Sequence, residues 1–226
     1  MIFQIPDAFV GIGYYEGISL ILWIVATVLM ISSTIIFMIK AIKIQEKSAK
    51  SMFIAYGLFY IFFGLTRILY IEAVYILGMY DFFTTLGYIT QILALIFIIY
   101  VLETQIVKST KFFFLIITIV AFVIALISLV GVTSIRRYFA LTLLFILVPI
   151  SASVIMILYL YVIIKSIGGI RKKAIGLFIG SLMMFASQVM DSEMFISATF
   201  PFVPLEITPI IMIIGVIIFT LSQVKF

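Results

Sequence analysis

Residues 62–77 read FFGLTRILYIEAVYIL, an apolar run holding two formal charges, Arg67 and Glu72. A guanidinium facing lipid near mid-depth costs on the order of 3 kcal/mol on insertion scales, so Arg67 is expected to face protein and to have an acidic partner. Two uses follow from that chemistry. The pair either belongs to a small outward-facing polar pocket that binds a ligand, or it is an ion pair clamping two helices together.

Candidate partners at matching depth come from QVMDSE, which supplies Gln188, Asp191 and Glu193, and from Glu206 at the start of the last apolar segment. Asp191 is the first choice for Arg67, with Glu193 and Glu206 read as interfacial. Glu72, five residues past Arg67, points elsewhere on a helix and is expected to snorkel to the surface. Tyr56, Tyr60, Gly64 and Arg67 recur at intervals of four, four and three, which keeps them on one helical face. That face is either a hydrogen-bonding lining or a packing surface in which Gly64 permits close approach. Gln91 lies at a similar depth, so the candidate ligand-binding residues are Arg67, Asp191, Gln188, Gln91 and Tyr60.

Other polar positions read as structural. Glu103 is expected to meet the lysines at the opposite end of the bundle. Ser32, Ser33, Thr34, Ser151 and Ser153 can back-bond to their own helix or bridge to a neighbour. Pro149 and Pro209 remove backbone donors inside helices and predict kinks. The chain has no His and no Cys, which disfavours disulfides, haem, iron–sulfur clusters and the usual zinc or copper sites. Asp191 and Glu193 are two apart and cannot share a helix face, and no phosphate-cradling glycine loop is present. The expectation is a protein without catalytic residues, cofactor or metal.

The elements that must position these residues are membrane helices. Of 226 residues, 66% are hydrophobic and 10% charged, against roughly 45–50% and 25% in soluble domains. Apolar segments of bilayer length read at about 18–39, 52–77, 82–107, 112–132, 138–164, 174–194 and 205–224, predicting an all-α bundle of seven transmembrane helices. The sixth is the weakest, because FASQVMDSEMF makes its end polar. Lys40, Lys43, Lys47, Lys50, Lys108, Lys111, Lys165, Arg171, Lys172, Lys173 and Lys225 all fall on one side of that topology. Arg136 and Arg137 lie on the other, with Asp7, Glu16 and Asp81 nearby. The positive-inside rule then predicts the N-terminus outside and the C-terminus inside, in a multi-pass protein of the cell membrane.

The net charge of +5 is distributed in these short clusters, which favours topology over nucleic-acid binding. The N-terminus lacks the positive start of a cleavable signal peptide. Loops are short, and the chain ends SQVKF with the last segment, so a single transmembrane domain over 1–226 is expected, with no soluble catalytic or kinase domain.

Internal similarity points to a parallel three-plus-one-plus-three arrangement. YITQILALIFIIYVLETQIVK and EITPIIMIIGVIIFTLSQVKF share an Ile-Thr near the start and a Thr/Ser-Gln before Val-Lys; ISSTII and ISASVI pair the first and fifth helices. Against this, Ile-rich sequences match each other readily, and the offsets between halves differ.

The helix count is similar to that of rhodopsins, but a retinal Schiff base needs a lysine in the middle of the seventh helix, and the lysine here is Lys225. The G-protein-coupled receptor triplet is missing from YVLETQIV. Size and orientation resemble the small sugar transporters with a triple-helix repeat, without their Pro-Gln pair. YGLFYIFFGLTRILY, IFIIYVLETQIVKSTKF and GIRKKAIGLFIGSLMMFASQVMDSE resemble uncharacterised archaeal-type seven-transmembrane proteins, similar to the sensor regions ahead of some histidine kinases. That resemblance implies a receptor or sensor taking a small or lipidic ligand and acting through a cytoplasmic or membrane signalling partner. A small-molecule transporter and a non-catalytic scaffold subunit of a membrane complex are the alternatives.

Overall fold

The computed structural model describes residues 17–76, 79–106, 110–130, 134–191 and 204–224. Asp7, Glu16, Lys108, Glu193 and Lys225, together with the side chains of Arg136 and Arg137, lie outside the described residues. Among the described residues the chain forms seven helices: α1 (Gly17–Lys43), α2 (Lys47–Tyr75), α3 (Tyr80–Gln105), α4 (Phe113–Val130), α5 (Ser134–Lys165), α6 (Gly168–Met190) and α7 (Ile207–Val224). Six carry a stretch long and apolar enough to cross a membrane: α1, α2, α3, α6 and α7 throughout, and α5 over Ile146–Lys165. The apolar stretch of α4, Phe113–Leu129, is shorter. The protein is a polytopic helical membrane protein.

A bilayer leaves no water to bond exposed amides, so helices that close their own hydrogen bonds are the only open solution for such sequences. Hydroxyls inside these helices bond the carbonyl one turn back: Thr27 to Trp23 at 2.9 Å, Ser32 to Val28 at 2.8 Å, Ser151 to Leu147 at 2.9 Å and Ser153 to Pro149 at 2.7 Å. Others also bridge helices. Thr34 reaches the Gly57 carbonyl of α2 at 3.2 Å, Thr118 of α4 donates to Ser151 of α5 at 3.0 Å, and Thr220 of α7 donates to Ser33 of α1 at 2.9 Å.

Two expectations are corrected. Pro209 is the third residue of α7, not an interior one. Amides of the first turn have no intrahelical acceptor, so its missing N–H breaks no bond there and gives no kink. The sixth helix begins at Gly168 rather than near residue 174, because the basic stretch Arg171, Lys172 and Lys173 consists of good helix formers and continues the helix outward.

Each helix packs on its chain neighbours, and α7 closes onto α1. α3 also touches α5, so α1, α2, α3, α5, α6 and α7 form a closed ring, while α4 lies against the α3–α5 seam from outside. Its buried face is the small-residue row Thr118, Ala121, Ala125 and Ser128, spaced as one side of a helix. The ring is filled by a core to which α1 gives Trp23, Met30 and Phe37, α2 gives Phe59, Tyr60 and Phe63, and α7 gives Met212, Val216 and Phe219. Branched aliphatic side chains such as Ile21, Val25, Val28, Ile157 and Ile214 face outward, where lipid would cover them.

Two close approaches shape the bundle. A Cβ at Gly180 would lie 2.7 Å from the Phe219 amide nitrogen, and one at Gly215 would lie 3.0 Å from the Gly180 carbonyl oxygen. The α6 and α7 backbones therefore meet almost directly, the small-residue packing that membrane helices use in place of a hydrophobic driving force. At Gly87 an added Cβ would fall on the ring of Tyr70, so this glycine seats that tyrosine.

Candidate functional site

Near the end of the bundle remote from the lysine clusters, four helices bring polar side chains to one level. Arg67 sits twenty residues into α2, Trp23 in the second turn of α1, Gln91 midway along α3, and Gln188 and Asp191 at the end of α6. Antiparallel packing of successive helices is what makes these positions coincide.

The Arg67 guanidinium donates through Nη1 to Asp191 Oδ2, forming an ion pair, and through Nη2 to Gln188 Oε1. The two paired side chains are 1% and 2% exposed, so the charges meet away from both water and lipid. Trp23 lies over the guanidinium with its ring centroid 4.1 Å from Cζ, and the Tyr70 ring stands 5.8 Å away. Aromatic faces carry negative quadrupole density, so both rings stabilise the cation and fix its plane.

The amides complete a circuit. Gln188 uses its oxygen for Arg67, which leaves its NH2 group to donate to Gln91 Oε1 at 3.5 Å. Tyr70 Oη donates to the same oxygen at 3.3 Å. The links thus run from Arg67 through Gln188 and Gln91 to Tyr70 and back to Arg67 through the ring. Beside the cluster, Thr66 and Thr90 bond at 2.9 Å and tie α2 to α3. Within this enclosure Asp191 Oδ1 and Trp23 Nε1 are buried with no hydrogen-bond partner. The cluster therefore balances its two charges internally, through the Arg67–Asp191 pair.

Of the five candidate residues, the structure brings together Arg67, Asp191, Gln188 and Gln91. Tyr60 stands about two turns below Arg67, where its hydroxyl donates to the Val216 carbonyl at 3.4 Å. It is part of an aromatic layer: its ring stacks on Phe37 with centroids 5.8 Å apart and meets Phe219 edge-on at 5.5 Å. Tyr56 belongs to the same layer, 5.3 Å from Phe219. Gly64 is not a tight point, since a Cβ there would meet Met30 at an ordinary 3.6 Å. Glu72 is exposed, and Glu206 is half-buried just before α7, while the ion-pair partner of Arg67 is Asp191.

Trp23 and Tyr70 complete the site without having been singled out in the sequence. Both left a signal: Trp23 is the one tryptophan in the chain, and Tyr70 stands three residues past Arg67 on the same helical face.

Glu103 departs from its expected role. It is 2% exposed and accepts from the backbone amides of Phe114 at 3.2 Å and Leu115 at 2.9 Å. These are free amides of the first turn of α4, where a carboxylate satisfies donors and complements the helix dipole together, so it serves the helix start rather than the exposed Lys111. At the same end, the Lys40 ammonium donates to the Gln223 carbonyl at 2.6 Å and the Val224 carbonyl at 3.3 Å, closing the C-terminal turn of α7.

Comparison with protein-family models, with curated proteins and with solved structures finds no match for this chain.

Proposed function

We propose that this protein is a seven-span receptor or sensor of the cell membrane, N-terminus outside and C-terminus inside, in which the Arg67 cluster answers a small polar or lipidic ligand. The observation that carries this reading is the buried Arg67–Asp191 pair, which joins α2 to the end of α6 across the ring. Breaking a buried pair costs about 3–5 kcal/mol because a charge is left uncompensated. A ligand that replaces one partner removes that cost, so the pair acts as a latch with two discrete states. A ligand entering there would meet Asp191 Oδ1 as an acceptor and Trp23 Nε1 as a donor. The aromatic layer of Phe37, Tyr56, Tyr60 and Phe219 below the cluster favours sensing over passage. For the seventh span, α4 with 18 residues reaches about 27 Å at 1.5 Å per residue, close to the roughly 30 Å hydrocarbon layer. The signal would pass through a separate partner, as the resemblance to kinase-linked sensor regions suggests.

A second reading has its own support. The contacts α1–α2, α2–α3 and α3–α5 have counterparts in α5–α6, α6–α7 and α7–α1, with α4 outside the ring. This is the helix order of two parallel three-helix halves, and it favours a transporter in which Arg67–Asp191 is the outer gate between halves.

The chain has no cysteine, so single cysteines can be placed freely. In a sensor, Gly64→Cys, combined with Asp191→Asn to open the latch, should react with a membrane-impermeant thiol reagent from the outside and not from the inside. Labelling from both sides would support the transporter. Protection from both sides, with or without Asp191→Asn, would make the pair a permanent clamp, as in a scaffold subunit.

A further inference from the structure

α5 ends at Lys165 and α6 begins at Gly168, so two residues make the reversal, with Gly168 at φ +62°, a conformation that favours glycine. The segment 165–173 reads KSIGGIRKK. A turn this short cannot carry its side chains away from the ends of the two helices, and α5 is apolar up to Lys165 while α6 becomes apolar from Ala174 onward. Its basic groups are therefore held at the depth where a bilayer has its headgroups.

Two further observations separate this turn from a solvated loop. Ile164, Ile167 and Ile170 are 71%, 86% and 65% exposed, in the same short segment as the cations Lys165, Arg171 and Lys172, which are also exposed. Water would penalise three such isoleucines, whereas the boundary between acyl chains and headgroups accommodates both kinds of side chain. Secondly, among the described residues no carboxylate pairs with these cations. Of the acids at this end, Glu103 is committed to the α4 amides and Glu46 stands at the start of α2. Lys173 adds to the excess, while Lys40 at the same end is held by α7 carbonyls.

We propose that the α5–α6 turn is a binding site for anionic phospholipid, its cations taking the headgroup phosphate and its exposed isoleucines the first carbons of the acyl chains. A phosphate-bearing lipid matches the surplus charge, the apolar side chains and the depth together; a soluble anion matches only the charge. The proposal rests on the membrane reading of the fold and is independent of the Arg67 cluster.

The full chain, reconstituted in phosphatidylcholine with or without phosphatidylglycerol, provides the test, read as lipid retained on extraction by native mass spectrometry. The parent should retain phosphatidylglycerol selectively. Lys165→Gln, Arg171→Gln and Lys172→Gln should each weaken retention about fivefold, and the triple variant should lose selectivity. Ile167→Asn should weaken it with no change in charge, while the combined Lys43→Gln, Lys47→Gln and Lys50→Gln variant should keep it. If the triple variant does not fold, the parent decides: phosphatidylglycerol should raise its melting temperature at low salt and much less at high salt. Equal retention by triple variant and parent, a melting temperature indifferent to phosphatidylglycerol, or equal competition by soluble glycerophosphate would overturn the proposal.

Discussion

The indole of Trp23 on α1 lies against the guanidinium of Arg67 on α2, ring centroid to Cζ 4.1 Å, while Asp191 meets the same guanidinium from the end of α6. One charge thus fastens the neighbouring helices α1 and α2 to the end of α6, more than a hundred residues further along the chain. Removing Asp191 alone strands a buried cation, and removing Arg67 alone strands a carboxylate. Asp191→Leu or Arg67→Met should each destabilise the protein by about 3–5 kcal/mol, whereas the double variant combining them should recover most of that loss. Thermal unfolding in detergent checks the cycle; a double variant as unstable as the sum of the singles would contradict it.

Trp23 contributes through its face as well as its area. Trp23→Leu keeps an apolar filler and removes the quadrupole, so the loss beyond the packing change should be about 1–2 kcal/mol. The same substitution in the Arg67→Met, Asp191→Leu background should show no such excess, which a double-mutant cycle measures directly.

Gly87 holds Tyr70 at the cluster because an added methyl would occupy the ring's place. Gly87→Ala should push Tyr70 away from Gln91 and Arg67, with a stability loss of about 1–3 kcal/mol. Adding Tyr70→Ala should relieve the crowding. If the two losses simply add, the ring does not sit against Gly87 as described.

The α6–α7 contact predicts a steeper response. Gly180→Leu places a side chain against the Phe219 backbone, which cannot retreat as a flexible side chain could. Folded yield should fall sharply for Gly180→Leu and Gly215→Leu, but little for Gly169→Ala, whose Cβ would enter open space. Size-exclusion chromatography of the three variants separates these outcomes.

Glu103 anchors α4 through its first-turn amides, and so Glu103→Ala should cost about 1–2 kcal/mol, with Glu103→Gln intermediate. Lys111→Gln should leave stability unchanged within about 0.5 kcal/mol. A comparable loss for the lysine variant would restore the ion-pair account of Glu103.

Much of the Arg67 environment can be read from the chain because two constraints converge there. A guanidinium within hydrocarbon demands an anion, and the alternating direction of successive helices brings residues 67 and 191 to the same end. Gln188, one turn before Asp191, follows from helical spacing. The aromatic partners are harder to see: among 23 Phe and 12 Tyr, a ring that carries a function looks like one that fills space. Tyr60 shows the converse, since its spacing from Arg67 gives the shared face of α2 but not that α7 meets that face lower down with Phe219. Counting charges loop by loop assigns Glu103 to lysines, a procedure blind to the amides that a helix start offers. Nor does the sequence make the shorter apolar stretch of α4 stand out; the sixth segment looks weaker because of its polar end.

The position of α4 outside the ring bears on how such a chain can arise and be rebuilt. In the seven-span reading, three crossings leave the polypeptide on the far side of the bilayer, and one more returns it, so that a second triplet can insert with the same polarity as the first. The fourth helix then serves as a parity element, attached by a row of small side chains to a seam that already exists. An unrelated single-span helix with the same row of small residues should stand in for it, and the two triplets, expressed as separate polypeptides, should find each other without it.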